Sequence, residues 1–196
     1  MADLDIAELI SKSVRRHISW VDSQIATEGP KLSNAARPQD LLDGYKELEG
    51  FILPVANSHR VDTPKNANFK CSFGQGNWSN VPWYGLRDNQ FSTSFTTGFY
   101  FVILPHGDGE GACFSIAIGT SGQPWAKIND IKQYWREWME DNIENFSTYS
   151  EEEPDLRKDA ARIAGTKGQK NLADYQRSTI VCRNLRFSDE DYTTEN

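Results

Sequence analysis

The hydrophobic pattern of the chain changes its period once, near residue 69, and this change limits the fold more than any other feature. Before it, apolar residues recur at every third or fourth position over 3–26 and again over 38–54, as on one face of a helix. Gly29-Pro30 separates the two segments, and Pro38 stands where a first helical turn would begin. The first part of the chain is therefore predicted to form a helical hairpin.

From residue 69 the pattern is that of β-strands, with apolar and polar residues alternating most clearly over 112–118. Pro82 within the second strand suggests an edge strand or a bulge. Strands are predicted at 69–73, 81–86, 98–104, 112–118 and 179–187, and further helices at 129–145 and within 154–176. This order predicts an α+β fold, in which helices flank a mixed, mostly antiparallel sheet behind an N-terminal helical hairpin.

The same pattern divides the chain into three segments. Residues 1–56 are predicted to be the helical hairpin, 57–187 the strand-containing domain, and 188–196 an acidic tail. A chain of 196 residues is long enough for one full hydrophobic core with a helical extension.

The net charge of −7 counts against general binding to nucleic acids, but the charge is unevenly distributed. Residues 60–136 hold seven basic and five acidic side chains, a net +2, whereas 137–196 hold eight and fourteen, a net −6. Only the middle of the chain has a basic balance. Any affinity for DNA that depends on charge alone is therefore expected to be modest.

No motif for catalysis is found. The three histidines lie in separate predicted elements, the three cysteines form no zinc-ligand pair, and neither a phosphate-binding loop nor a nucleophile elbow occurs. We therefore predict no catalytic residue, no metal and no cofactor. The start of the chain lacks the pattern of a signal peptide and no run is apolar enough to span a membrane, so a cytoplasmic protein without membrane contact is predicted.

Glycines and aromatic residues are concentrated between residues 69 and 104. Gly74 and Gly76 allow a tight turn and a close approach of the backbone to a ligand. Asn77 and Ser79 place polar groups beside that turn. Flat aromatic faces are supplied by Trp78, Trp83, Tyr84 and Tyr100. Such a combination suits a planar ring held between side chains, such as a nucleobase.

Two stretches of this region carry a family resemblance. The first is Ser72-Phe73-Gly74-Gln75-Gly76-Asn77 with Pro82-Trp83, and the second is the run from Gly98 to Leu104, Gly-Phe-Tyr-Phe-Val-Ile-Leu. Together they resemble the N-terminal domain of McrB-type, modification-dependent (type IV) restriction systems. The match is close over about 40 residues and looser to residue 187, including the weaker landmark at 176–182.

The resemblance implies binding of duplex DNA with methylated or hydroxymethylated cytosine, whose base is flipped into a pocket. Trp83, Tyr100 and Leu104 match the positions that line this pocket, and we add the neighbouring aromatic Tyr84. The turn that would enter the DNA helix is predicted to comprise Gly74, Gln75, Gly76, Asn77, Trp78 and Ser79. Gln75 stands where the family prototype has an aromatic wedge, which weakens the expectation of strong flipping.

Lysines and arginines near these segments are the candidates for contacts with the DNA backbone. They are Lys65, Lys70, Arg87 and Lys127, with Lys132 and Arg136 as further candidates. If they neutralise phosphates, binding must weaken steeply with added salt.

The predicted function is therefore a non-enzymatic binding module, the specificity part of a restriction or anti-phage defence protein. An effector nuclease or NTPase is expected elsewhere, in a longer polypeptide or as a partner subunit. Three alternatives remain open at the level of sequence. They are recognition of another modified base or a nucleotide, a protein-interaction domain, and a nuclease that uses scattered carboxylates.

Overall fold

The computed structural model describes most of the chain. The described residues are 6–28, 39–58, 67–72, 83–90, 92–106, 110–149, 154 and 173–187. In chain order the elements are α1 (Ile6–Glu28), α2 (Gln39–Ser58), β1 (Ala67–Ser72), β2 (Trp83–Asp88), β3 (Thr97–Pro105), β4 (Gly111–Thr120), α3 (Trp125–Asn142), α4 (Phe146–Tyr149) and β5 (Thr179–Arg186). Residues 173–178 form a further helical segment directly before β5.

The five strands form one sheet in the order β1-β2-β3-β4-β5, and each strand pairs antiparallel with the next. The α+β prediction is thus confirmed, with a sheet that is wholly antiparallel among the described strands. Of the two interpretations of Pro82, an edge strand is wrong, because β2 pairs with a neighbour on both sides. Pro82 itself lies outside the described residues, directly before β2.

One face of the sheet is covered at one end by the predicted helical hairpin. Helices α1 and α2 pack together and share a single hydrophobic cluster with β1 to β4. Tyr84 of β2 is completely buried in this cluster, and its hydroxyl lies 3.0 Å from Ser13 Oγ of α1. Burial of an unpaired hydroxyl is costly, so this hydrogen bond fixes how the hairpin sits on the sheet.

Helix α3 covers the other end of the same face. Phe99 of β3 meets Trp135 of α3 edge-on at 5.2 Å between ring centroids, and Ile128 is completely buried against the sheet. The helix begins at Trp125, four residues before the predicted start. Pro124 precedes it, and a proline suits the start of a helix because the first turn leaves backbone N–H groups unpaired there.

Removal of the Ser13–Tyr84 hydrogen bond is expected to loosen the hairpin from the sheet. Tyr84→Phe leaves Ser13 without its partner and should lower the free energy of unfolding by about 1 kcal/mol, as should Ser13→Ala. The double variant should lose much less than the sum of the two, since both remove the same bond. Urea unfolding of the four proteins measures this coupling, and additive losses would mean that the bond does not hold the hairpin.

Candidate functional site

The opposite face of the sheet brings three of the predicted site residues together. Because alternate residues of a strand share a face, Tyr100, Val102 and Leu104 of β3 lie on one side. Cross-strand partners also share a face, and Gly85 of β2 is paired with Val102. Continuing this register sets Trp83 opposite Leu104. We call this side, with these five residues, the pocket face.

The connection between β2 and β3 folds back over the pocket face and adds an aromatic ring that sequence reasoning did not identify. The Phe95 ring lies 5.4 Å from Trp83 and 5.7 Å from Tyr100 between ring centroids, edge-on to both. Phe95 therefore stands between the two aromatic residues that the resemblance assigns to a base. Trp83, Phe95 and Tyr100 are all half-buried, and we call them the aromatic cluster.

Two glycines let this connection approach the sheet. A Cβ atom on Gly85 would come within 2.5 Å of the Phe95 ring and 2.7 Å of the Trp83 ring. One on Gly119 of β4 would come within 2.3 Å of the Thr96 backbone. The backbone N–H of Ser121 also donates to the Thr96 carbonyl at 3.0 Å. The close packing of Phe95 thus depends on the missing side chain at Gly85.

Arg87, near the end of β2, holds the same connection through hydrogen bonds and a ring contact. Its Nη1 donates to Asn89 Oδ1 at 2.6 Å and to the Ser92 carbonyl at 2.5 Å. Its guanidinium carbon lies 5.5 Å from the centre of the Phe95 ring. A planar guanidinium can donate in a fixed fork and stack on an aromatic ring at the same time. Arg87, predicted to contact phosphate, is thus engaged in holding the β2–β3 connection.

Serine hydroxyls complete the internal bonding of this connection. Ser92 Oγ donates to the carbonyls of Ser94 and Thr97, both at 2.6 Å, and Ser94 Oγ lies within hydrogen-bonding distance of the hydroxyls of Thr96 and Thr97. A loop whose polar groups bond within itself keeps its shape better than one that depends on water. The position of Phe95 over the sheet is therefore well defined.

The helical segment 173–178 adds a second aromatic residue that the sequence did not indicate. Tyr175 packs with Trp83 and Tyr100 against a buried group of small and apolar side chains. The Tyr100 hydroxyl is hydrogen-bonded to the Ser178 side chain, and burial raises the pKa of Tyr100 in spite of that bond. Burial also raises the pKa of Tyr175. Both phenols are therefore neutral hydrogen-bonding groups at physiological pH.

Leu104 and Tyr84 differ in where they lie. Leu104 is on the pocket face but only 4% exposed, so it supports the aromatic residues from beneath. Tyr84 points to the opposite face, where it is buried under α1. The structure therefore separates Tyr84 from the pocket residues with which it was predicted. Its position next to Trp83 on a strand, where neighbours point to opposite faces, could have indicated this.

Among the described basic candidates, Lys70 lies on the pocket face together with Arg87. It is exposed on β1 and pairs with Gly85 across the strands. Lys127 is exposed on α3, which packs on the other face. Lys132 Nζ donates to the carbonyl of residue 177 at 2.9 Å, and Arg136 Nη1 to the carbonyl of residue 180 at 3.4 Å. Lys132 thus ties α3 to the helical segment before β5, and Arg136 ties α3 to β5 itself.

Several predicted site residues lie outside the described residues. They are the turn residues Gly74, Gln75, Gly76, Asn77, Trp78 and Ser79, together with Lys65. The described residues on either side of this segment, Ser72 of β1 and Trp83 of β2, are paired across the strands.

The described residues offer little for metal or thiol chemistry. They contain no group of three or more histidine, cysteine or acidic side chains placed to hold a metal ion. Cys71, Cys113 and Cys182 are free, and burial raises the pKa of the Cys71 thiol, which disfavours its reactive thiolate. Over the same part of the chain, none of the helices is sufficiently long and apolar to cross a membrane.

Comparison with known protein families gives a match over most of the chain. The family model described as "MrcB-like, N-terminal domain" matches residues 54–195, which include every strand and the helices α3 and α4. No curated protein and no solved structure gave a significant match to the chain. Because the family model covers well over half of the sequence, this chain belongs to the MrcB-like N-terminal domain family.

Proposed function

We propose that this chain binds duplex DNA containing a modified cytosine, 5-methyl- or 5-hydroxymethylcytosine, and holds the flipped base on the pocket face. The observation that carries the proposal is that Trp83, Tyr100 and Leu104 lie on one face of adjacent strands, opposite the face that α1, α2 and α3 cover. Membership in the MrcB-like family and the sequence resemblance to McrB-type domains both favour the same ligand.

The energetics of flipping are compatible with this face. Removing a base from the stack costs a few kcal/mol. Stacking on an aromatic side chain returns about 1–3 kcal/mol per base. Trp83 and Tyr100 are both half-buried, so parts of their rings are accessible while their positions are held by packing. Two such contacts can offset the cost of flipping.

The proposed role is binding without catalysis. Neutral phenols and apolar side chains surround the pocket face, which suits recognition of a ring more than proton transfer. Cleavage or translocation would then be carried out by an effector nuclease or NTPase, attached in a longer polypeptide or supplied as a partner subunit. The module would act as its specificity part in a restriction or anti-phage system.

A protein-interaction domain is the second candidate, favoured by the exposed aromatic residues of α3. Tyr134 and Trp138 are 61% and 44% exposed, and Glu137 and Asp141 lie on the same stretch of helix. An acidic surface of this kind repels DNA. The two candidates therefore use different sides of the sheet, and single substitutions can separate them.

Binding to a modified duplex is expected to depend on Trp83 and not on Trp138. Fluorescence anisotropy would compare matched duplexes carrying cytosine, 5-methylcytosine or 5-hydroxymethylcytosine. Wild-type protein should bind a modified duplex about tenfold or more tightly than the unmodified one, since pocket contacts with one methyl group are worth about 1–3 kcal/mol. Trp83→Ala should abolish the difference.

Trp138→Ala is the matched control, because it also removes an indole ring, but from the other side of the sheet. This variant should bind the modified duplex as wild type does. If folded wild-type protein binds no duplex, or if Trp83→Ala keeps full selectivity, the proposal is wrong. Loss of selectivity in Trp138→Ala alone would point to α3 instead.

The salt dependence of binding should show whether Lys70 contacts a phosphate of the DNA. If Lys70 neutralises one phosphate, Lys70→Gln should reduce the slope of log affinity against log salt by about 0.9. Lys127→Gln removes the same charge from α3 and should leave the slope unchanged. Titrations of a modified duplex at several salt concentrations measure both, and equal slopes for Lys70→Gln and wild type would remove Lys70 from the interface.

A further inference from the structure

The position of Phe95 conflicts with a base standing directly between Trp83 and Tyr100. A flat ring held between two others needs about 7 Å between their faces, twice the contact distance of about 3.5 Å. Phe95 is already in edge contact with both Trp83 and Tyr100, at centroid distances of 5.4 and 5.7 Å. No second ring fits into this space while Phe95 remains there.

The space that Phe95 fills has the properties of a base site. Its floor is Gly85, where the lack of a side chain lets a ring lie against the backbone. Its walls are Trp83 and Tyr100, and the rear is closed by the buried Val102 and Leu104. A phenyl ring and a pyrimidine are both single six-membered rings, so the space occupied by one accepts the other.

We infer that Phe95 occupies, in the free protein, the slot that a flipped pyrimidine takes when DNA binds, and that it competes with the base for this slot. The inference rests on the proposed function. Phe95 is then a residue that sets the affinity for DNA, and the size of the slot, which one six-membered ring fills, restricts the base to a pyrimidine. Arg87 of β2 lies over the Phe95 ring in the free protein.

The surroundings of Phe95 allow it to leave. Its ring is half-buried, so rotation of the side chain can bring it into solvent. The hydrogen bonds of the connection are made by Arg87, Ser92 and Ser94 and by backbone groups, none of which needs the Phe95 ring. Displacement therefore costs the burial of part of one phenyl ring and its contacts with Trp83, Tyr100 and Arg87, and this cost lowers the affinity for DNA.

Phe95→Ala provides the test, because it removes the competitor and leaves the walls of the slot. Anisotropy titrations of a 5-methylcytosine duplex should give about five- to tenfold tighter binding than wild type, the gain expected when half of a phenylalanine no longer has to be expelled from its packing. Phe95→Leu, with a smaller and more flexible side chain, should gain less. Thr93→Ala, an exposed residue of the same connection, is the matched control and should bind like wild type.

The outcomes separate this inference from the proposed function. Suppose that wild type prefers the modified duplex and that Phe95→Ala is folded by circular dichroism. If Phe95→Ala then binds this duplex no more tightly than wild type does, Phe95 is a fixed wall of the pocket. The inference is then overturned, while the proposed function stands. If Phe95→Ala does not fold, an unchanged or weaker affinity of Phe95→Leu overturns it in the same way. If wild type and variants bind no duplex, both proposals fail. A gain for a duplex with N6-methyladenine and none for 5-methylcytosine would contradict the restriction to pyrimidines.

Discussion

Strand β3 occupies the middle of the sheet, and the alternation of its side chains decides what each face of the molecule can do. Phe99, Phe101 and Ile103 point to the face covered by α1, α2 and α3. Tyr100 and Leu104 point to the face without these helices, where Trp83 of β2 joins them. A shift of one residue would exchange the two sets, so burial of the first set fixes the second in place. The stability of the fold and the composition of the candidate site are thus determined by one register.

The two faces also differ in what they could bind. The pocket face combines aromatic rings, a glycine floor and an exposed lysine, which suits a planar ring carried on an anionic backbone. The exposed side of α3 combines aromatic rings with acidic residues, which suits a protein. A specificity module needs both kinds of contact if it brings an effector to DNA.

Sequence patterns predicted the elements well, and the site in part. A dense run of apolar and aromatic residues located β3, and alternation located β4. The spacing of four between Tyr100 and Leu104 placed them on one face, but only tertiary packing brought Trp83 beside them. Tyr84 was misplaced because the resemblance was extended to a sequence neighbour against the period of the strand. Phe95 and Tyr175 carried no signal, since loop and helical residues reach the sheet through tertiary packing that no local pattern encodes.

The indole N–H signals of the six tryptophans in solution NMR, assigned by single substitutions, report most directly where the modified base binds. Titration with a 5-methylcytosine duplex should shift the signal of Trp83 and leave that of Trp138 in place, while an unmodified duplex should shift neither beyond the effect of weak binding. Such a result would locate the modified base on the pocket face. A Trp83 signal that stays unchanged while the modified duplex is bound, with shifts confined to the tryptophans of α3, would contradict the account.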